Sequence, residues 1–188
     1  MRRIVVSGTT GSGKTTLARD IGRRLGAPLV ELDALHWEPG WREATAAAFR
    51  ERVASALAGE TWVVDGNYGQ VRDLVWARAD TVLWLDYPLA LVLWRLVRRT
   101  LRRIATGEEL WNGNRERLGA QLSRDSLILW ALQTHLDKRR RYPRLFRRPE
   151  AAHLRVLRLR SPRATERWLA RSTSPGGLRC ATSPCSAP

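Results

Sequence analysis

The chain has 188 residues, 44% of them hydrophobic, and a formal net charge of +15, a globular composition long enough for one α/β domain with its own core. It excludes wholesale disorder. It also speaks against a membrane span, because the one apolar candidate, Leu89–Val97, is short and interrupted by Arg95, well below the roughly 20 apolar residues a spanning helix needs.

In chain order, the first residues do not read as a signal peptide, since Ile4–Val6 is a short apolar run leading into glycines. The expectation is a soluble, cytoplasmic protein. The β-branched run Arg3–Ser7 predicts a buried parallel strand. Lys14–Leu25 places Leu17, Ile21 and Leu25 at helical spacing, with Gly26 as the stop. Pro28–Leu32 predicts a second strand closing at Asp33, and Glu43–Leu57 a helix. Thr61–Val64 is a third strand, ending in the turn signal Asp65-Gly66-Asn67. Thr81–Leu85 is a fourth, ending in Asp86, and Pro88 opens a helix that runs from Leu89 to about Ile104.

The polar connection Thr106–Gly119 follows. Ser123-Arg-Asp125 then caps a helix carrying Leu-Ile-Leu-Trp-Ala-Leu, apolar nearly all round and so expected to be buried. Leu154–Leu159 is the fifth strand and Pro162–Ala170 the last helix. From residue 172 onward, Ser, Pro and Gly dominate without apolar periodicity, which predicts a disordered tail. Cys180 and Cys185 both lie in it, and their spacing gives no metal-site pattern.

Strands alternating with helices predict a three-layer α/β fold with a five-stranded parallel sheet covered on both faces. Asp33, Asp65 and Asp86 would line the carboxyl edge of that sheet, where open α/β folds bind ligands.

Gly8-Thr9-Thr10-Gly11-Ser12-Gly13-Lys14-Thr15, with Thr16 after it, matches the phosphate-loop pattern at every fixed position, between a predicted strand and a predicted helix. Glycines let backbone N–H groups converge on phosphate oxygens, and the helix N-terminus adds positive partial charge. Lys14 is suited to the β- and γ-phosphates and Thr15 to a Mg²⁺ ion. ATP with Mg²⁺ is therefore the expected ligand pair. The chain has no Asn-Lys-x-Asp segment of the GTPase kind and lacks the further motifs of large AAA or ABC machines.

The chain also resembles the adenylate kinases. Asp65-Gly66 is similar to the start of their Asp-Gly-Phe-Pro-Arg segment, which implies that Asp65 helps hold Mg²⁺. Asp86 with Arg95 and Arg99 resembles their strand-four aspartate and lid-root arginines. By that resemblance a helical lid spans about residues 99–140, with Arg115, Arg117 and Arg124 as candidate phosphate clamps. Ser161-Pro162-Arg163 falls where that family holds adenine. The arginine expected four residues after Asp65 is Gly69, with Arg72 as the nearest substitute. No AMP-binding Thr-Gly-Asp segment follows the second strand.

Instead Glu31-Leu-Asp33-Ala-Leu-His36-Trp37 is closer to shikimate- and gluconate-type kinases, which implies that Asp33 meets an acceptor hydroxyl. Over about residues 1–171 the whole pattern resembles a bacterial group of adenylate-kinase-like P-loop proteins, often labelled DNA topology modulation (FlaR-related) proteins. His36 is read as structural, and most of the nine tryptophans as packing residues.

The leading expectation is a Mg²⁺- and ATP-dependent phosphotransferase of adenylate-kinase-like, P-loop nucleotide-kinase-like fold, acting on a small molecule, with nucleotides among the candidates. Lys14, Asp33, Arg95, Arg99 and Arg115 are its catalytic candidates, and Thr15 and Asp65 its metal ligands. Arginine clusters at Arg95–Arg103 and Lys138–Arg148 open a second reading, an ATP-binding regulator that contacts nucleic acid through its basic surface. A protein that only hydrolyses ATP is a third.

Overall fold

The computed structural model describes residues 1–116 and 127–172. Five strands form one parallel sheet: β1 (Arg3–Gly8), β2 (Leu29–Glu31), β5 (Trp62–Asp65), β6 (Thr81–Leu85) and β7 (Arg155–Leu159), in the order β2-β5-β1-β6-β7. Two short strands, β3 (Trp37–Glu38) and β4 (Arg42–Glu43), form a separate antiparallel hairpin.

The sheet is buried on both faces because its strands are apolar at successive positions. Val5, Val30, Val64 and Val82 point to one face, where helices α3 (Ala46–Ala56) and α4 (Arg72–Arg78) supply Phe49, Val53 and Val75. Ile4, Val6, Val63, Leu83 and Leu85 point to the other, against Leu17, Ala18 and Ile21 of α1 (Lys14–Leu25) and Trp168 and Leu169 of α7 (Pro162–Ser172). This is the expected three-layer α/β fold with its five-stranded parallel sheet. Two long helices, α5 (Leu89–Thr106) and α6 (Leu127–Leu145), pack on each other beside the phosphate loop.

Several local expectations shift. Leu32 does not end a strand but opens the short helix α2 (Leu32–His36), so Asp33 is a helix residue. The stretch begun at Glu43 is strand first. The helix after it starts at Ala46, where the Thr45 hydroxyl accepts from the Ala48 N–H at 3.2 Å. Helix α6 is not buried all round: Leu129, Leu132 and Leu136 are 44%, 38% and 54% exposed, while Ala131, His135 and Tyr142 are buried. Among the described residues, Leu129, Leu132 and Leu136 of α6 face outward. Ser172, assigned to the tail, closes α7, and residues 173–188 with Cys180 and Cys185 lie outside the described residues.

Asp80 ties the starts of two central strands. Its carboxylate accepts from the backbone N–H groups of Arg2 and Arg3 at 2.7 and 2.9 Å, and from the Thr81 hydroxyl at 2.7 Å. Burial alone would raise its pKa, but these donors outweigh it and hold the group below its ordinary value. A depressed carboxylate pKa contributes stability above the unfolded value and loses it as pH falls through the folded one. Asp80→Ala should therefore cost about 1–3 kcal/mol at pH 7, as for hydrogen bonds to a charged group. In urea melts taken at falling pH, the gap from wild type should close once the Asp80 carboxyl is protonated in both the folded and the unfolded chain.

Candidate active site

The phosphate loop runs from the end of β1 into α1. Gly13 caps the helix without a side chain, so the first N–H groups of α1 are left for a ligand. Gly11 has φ +81°, and a Cβ there would meet the Val92 carbonyl oxygen at 2.7 Å and the Leu96 Cβ at 3.0 Å. The loop is thus seated directly on α5, which lays its arginines along it. Nη1 of Arg95 lies 3.5 Å from the Ser12 carbonyl oxygen, and Nη2 of Arg99 lies 3.5 Å from the Thr10 hydroxyl. Lys14 folds back to donate to the Thr9 carbonyl at 3.3 Å. Lys14, Arg95 and Arg99 therefore converge on one loop, as their spacing implies.

Across the sheet, β5 delivers Asp65 to the same place. The Thr15 hydroxyl donates to its Oδ2 in a close hydrogen bond. Asp65 Oδ1 is buried without a hydrogen-bonding partner among the described residues. Burial raises the Asp65 pKa and Asp33 adds to the rise, while the Lys14 charge and the Thr15 hydroxyl oppose it. Ser12 Oγ, Arg99 Nε and His135 Nε2 are likewise buried and unpartnered in the same region. Folded proteins leave few polar atoms in that condition, and their gathering around a phosphate loop fits a polyanion with a cation. A Thr hydroxyl beside a carboxylate with a spare oxygen suits Mg²⁺, which takes one or two protein ligands and fills the rest with phosphate and water.

Asp33 stands on the far side, on α2. The Tyr68 hydroxyl donates to its Oδ1 at 2.5 Å. Burial, then the neighbouring Asp33 charge, push the Tyr68 pKa well above the phenol range, so the ring stays protonated and donating. His36 is buried behind them, with ring centroids 4.9 Å from Phe49 and 4.6 Å from Tyr68, a packing position. Gly66 has φ +131°, and a Cβ there would come within 2.9 Å of the Leu32 Cβ. That close approach brings the Asp65 turn against α2. A pocket behind the turn is lined by Leu32, Asn67, Tyr68, Arg72, Trp76 and Tyr142, and the Arg72 guanidinium lies 5.5 Å from the Trp76 ring centroid.

Arg115 is different. Its guanidinium is exposed and pairs with Glu109 at 3.5 Å, away from the loop. The reason is the turn that carries it. Trp111 Nε1 donates to Glu31 at 3.0 Å, Asn112 to the carbonyls of Ala34 and Trp37 at 3.3 and 2.5 Å, and Asn114 to that of Glu38 at 2.9 Å. Trp41 donates in return, from its backbone N–H to Asn114 at 2.8 Å and from its indole to the Arg115 carbonyl at 3.1 Å. The turn is therefore fastened to α2 and the β3–β4 hairpin, over the acceptor side. Arg117 and Arg124 lie outside the described residues.

Asp86 is occupied as well. Arg158 donates to it at 2.6 and 2.8 Å, and Arg139 pairs with it at 2.9 Å. It anchors α6 and β7 to β6. Ser161 serves α7, its hydroxyl accepting from the Ala164 N–H at 3.2 Å.

Sequence reading did not pick out Tyr68 or His135, which meet Asp33 and Thr9.

Residues 4–86 match the family described as ATPase family associated with various cellular activities (AAA), from the strand before the phosphate loop through Asp86. No curated protein matches the chain significantly. Among solved structures, a gluconokinase from Sinorhizobium meliloti is similar at 20% identity and TM-score 0.50, over 92% of this chain and 93% of that one. A sugar kinase from a Janibacter species is similar at 21% identity and TM-score 0.50, over 90% and 93%. The fold is like that of these kinases, and the chain carries the phosphate-loop pattern at Gly8–Thr15 between its first strand and first helix.

The seating of Gly11 on α5 has a measurable consequence. Gly11→Ala should lower stability by about 1–3 kcal/mol, the usual cost of overpacking, and weaken ATP binding by at least about tenfold as the loop leaves its arginines. Urea melts and equilibrium titration with ATP check the two effects.

Proposed function

We propose that this protein is an ATP-dependent phosphotransferase that moves the γ-phosphoryl group to a hydroxyl of a small acceptor. The observation that carries the reading is the pair of carboxylates on the two sides of the loop. Asp65 is joined to Thr15 with one oxygen spare, and Asp33 is held by Tyr68 on the acceptor side. A protein that only binds ATP has no use for the second.

Thr15 and Asp65 would hold Mg²⁺, which when bound neutralises charge on the β- and γ-phosphates. Lys14, Arg95 and Arg99 stabilise the charge spread over the transferring group. With Oδ1 of Asp33 engaged by Tyr68, Oδ2 is the oxygen that accepts the proton of the acceptor hydroxyl. The acceptor oxygen then bonds to the γ-phosphorus, the bond from that phosphorus to the bridging oxygen breaks, and ADP leaves with the electron pair. The turn fastened over the acceptor side excludes water, which favours transfer over hydrolysis. Arg115 has no part in this scheme. The resemblance to the DNA topology modulation group is compatible with it but supplies no chemistry.

The test is incubation with labelled ATP, Mg²⁺ and a panel of sugars, hydroxy acids and nucleoside monophosphates. Transfer to at least one acceptor is expected, and removal of Mg²⁺ by chelation should abolish it. Asp33→Asn should lower the transfer rate by about 10²–10⁴-fold, the range for losing a general base, while ATP affinity stays within about twofold. Tight ATP binding without transfer to any acceptor would overturn the assignment.

A further inference from the structure

Helix α5 divides its residues between two faces. Val92, Leu96 and Thr100 are buried at steps of four, and Gly11 of the phosphate loop packs on this side. Trp94, Val97 and Leu101 lie about half a turn away and are exposed, Trp94 by 58% and Leu101 by 56%. They are three and four residues apart, so they form one stripe. Helix α6, which packs beside α5, repeats that spacing in Leu129, Leu132 and Leu136. Among the described residues, every exposed large apolar side chain except Trp41 belongs to one of these two helices. Scattered apolar residues are ordinary on a protein surface, but gathered ones mark a contact with something else.

The charge beside the stripe says what it meets. Helix α5 holds five arginines in 18 residues and no acidic residue. Arg95 and Arg99 face the loop, whereas Arg98 and Arg102 are exposed. The Arg98 guanidinium lies 5.5 Å from the centroid of the Trp94 ring, so a cation and a wide apolar ring share one point of the surface. Arg102 pairs with Glu108 at 2.8 Å, an exposed ion pair of small net worth.

We infer that this face of α5 docks on an anionic lipid surface, with Trp94, Val97 and Leu101 entering the headgroup region and Arg98 and Arg102 on the lipid phosphates. A helix that lies in a membrane interface carries an apolar stripe beside a basic one, and stable attachment takes both signals together. Tryptophan suits the boundary because its ring is apolar and its N–H is polar. Arginine keeps its charge among the headgroups while its stem lies along apolar neighbours. The formal net charge of +15 adds attraction to a negative surface. Nucleic acid would use the arginines but not the exposed tryptophan and leucines. A second copy of the chain would cover the stripe, but a two-fold contact sets the arginine flank against itself. The five arginines bar α5 from crossing a bilayer, which the sequence excludes without excluding contact with its surface. The phosphate loop lies on the opposite side of the helix, so the inference does not depend on the reaction proposed above.

The experiment is co-sedimentation of the full chain with vesicles of phosphatidylcholine and, separately, of equal parts phosphatidylcholine and phosphatidylglycerol. Binding to the mixed vesicles is expected, at least about tenfold tighter than to the neutral ones. Trp94→Gln combined with Leu101→Gln should weaken it by at least about tenfold. Arg98→Gln with Arg102→Gln should weaken it by about thirtyfold, the worth of two cations at such a surface. Arg167→Gln with Arg171→Gln removes the same charge from exposed positions on α7 and should change binding by less than about threefold. Urea melts check that each variant is folded. Should the Trp94 and Leu101 pair unfold, Leu101→Gln alone replaces it, with a loss of at least about threefold expected. No binding to the mixed vesicles, or binding unchanged by the Trp94 and Leu101 substitutions, would overturn the inference. An equal loss from the α7 pair would reduce the effect to net charge and overturn it too. So would self-association, measured by sedimentation velocity, that those apolar substitutions abolish in a chain that ignores vesicles.

Discussion

The parallel pairing of β1 with β5 sets Val6 opposite Asp65, and the rest of the site depends on that register. A slip of one residue would turn Asp65 to the other face of the sheet and break its hydrogen bond with Thr15. The register is held by burial, because Ile4, Val5, Val6, Trp62, Val63 and Val64 are all 1% exposed or less. Any slip would have to bury a carboxylate in their place. The hydrophobic core thus positions a buried acid, Asp65, against the Thr15 hydroxyl at the start of the helix that follows the loop.

Helix α5 couples the two sides of this arrangement. Its middle carries Arg95 and Arg99 along the phosphate loop, and Gly11 leaves no gap between loop and helix. Its far end leads through Gly107, with φ +61°, into the turn fastened over α2 and the β3–β4 hairpin. Donor and acceptor sides are therefore linked by one rigid element. The strained positions fall where the side chains pay off in hydrogen bonds: Asn112 and Trp41 take positive φ, and both donate across the interface between turn and hairpin.

The charge distribution follows the same logic. Of the three strand-end aspartates expected at the sheet edge, Asp86 is consumed by Arg139 and Arg158, which leaves Asp65 and Asp33 for chemistry. Arg99 is buried beside the loop, and burial, with Arg103 next, lowers its pKa. Lys14, Arg95 and Arg99 together make the loop electropositive.

Much of this was legible in the sequence because it is local. The phosphate loop is a run of consecutive residues whose glycines and helix start dictate its shape, and the five strands announced themselves by β-branched runs ending in turn signals. Arg95 and Arg99 were legible because four residues is one turn of a helix. The sequence misled at Asp33, where a five-residue helix is too short to carry a periodic signal, and at Arg115, where the backbone turn and not the charge decided where the side chain went. Tyr68 on Asp33 and His135 on Thr9 join residues 35 and 126 positions apart, and no local pattern encodes such distances. Chemistry that depends on neighbours along the chain was determined by the sequence alone. The meeting of Tyr68 with Asp33 and of His135 with Thr9 was decided by the tertiary structure, because only packing of α2 and α6 against the sheet brings these residues together.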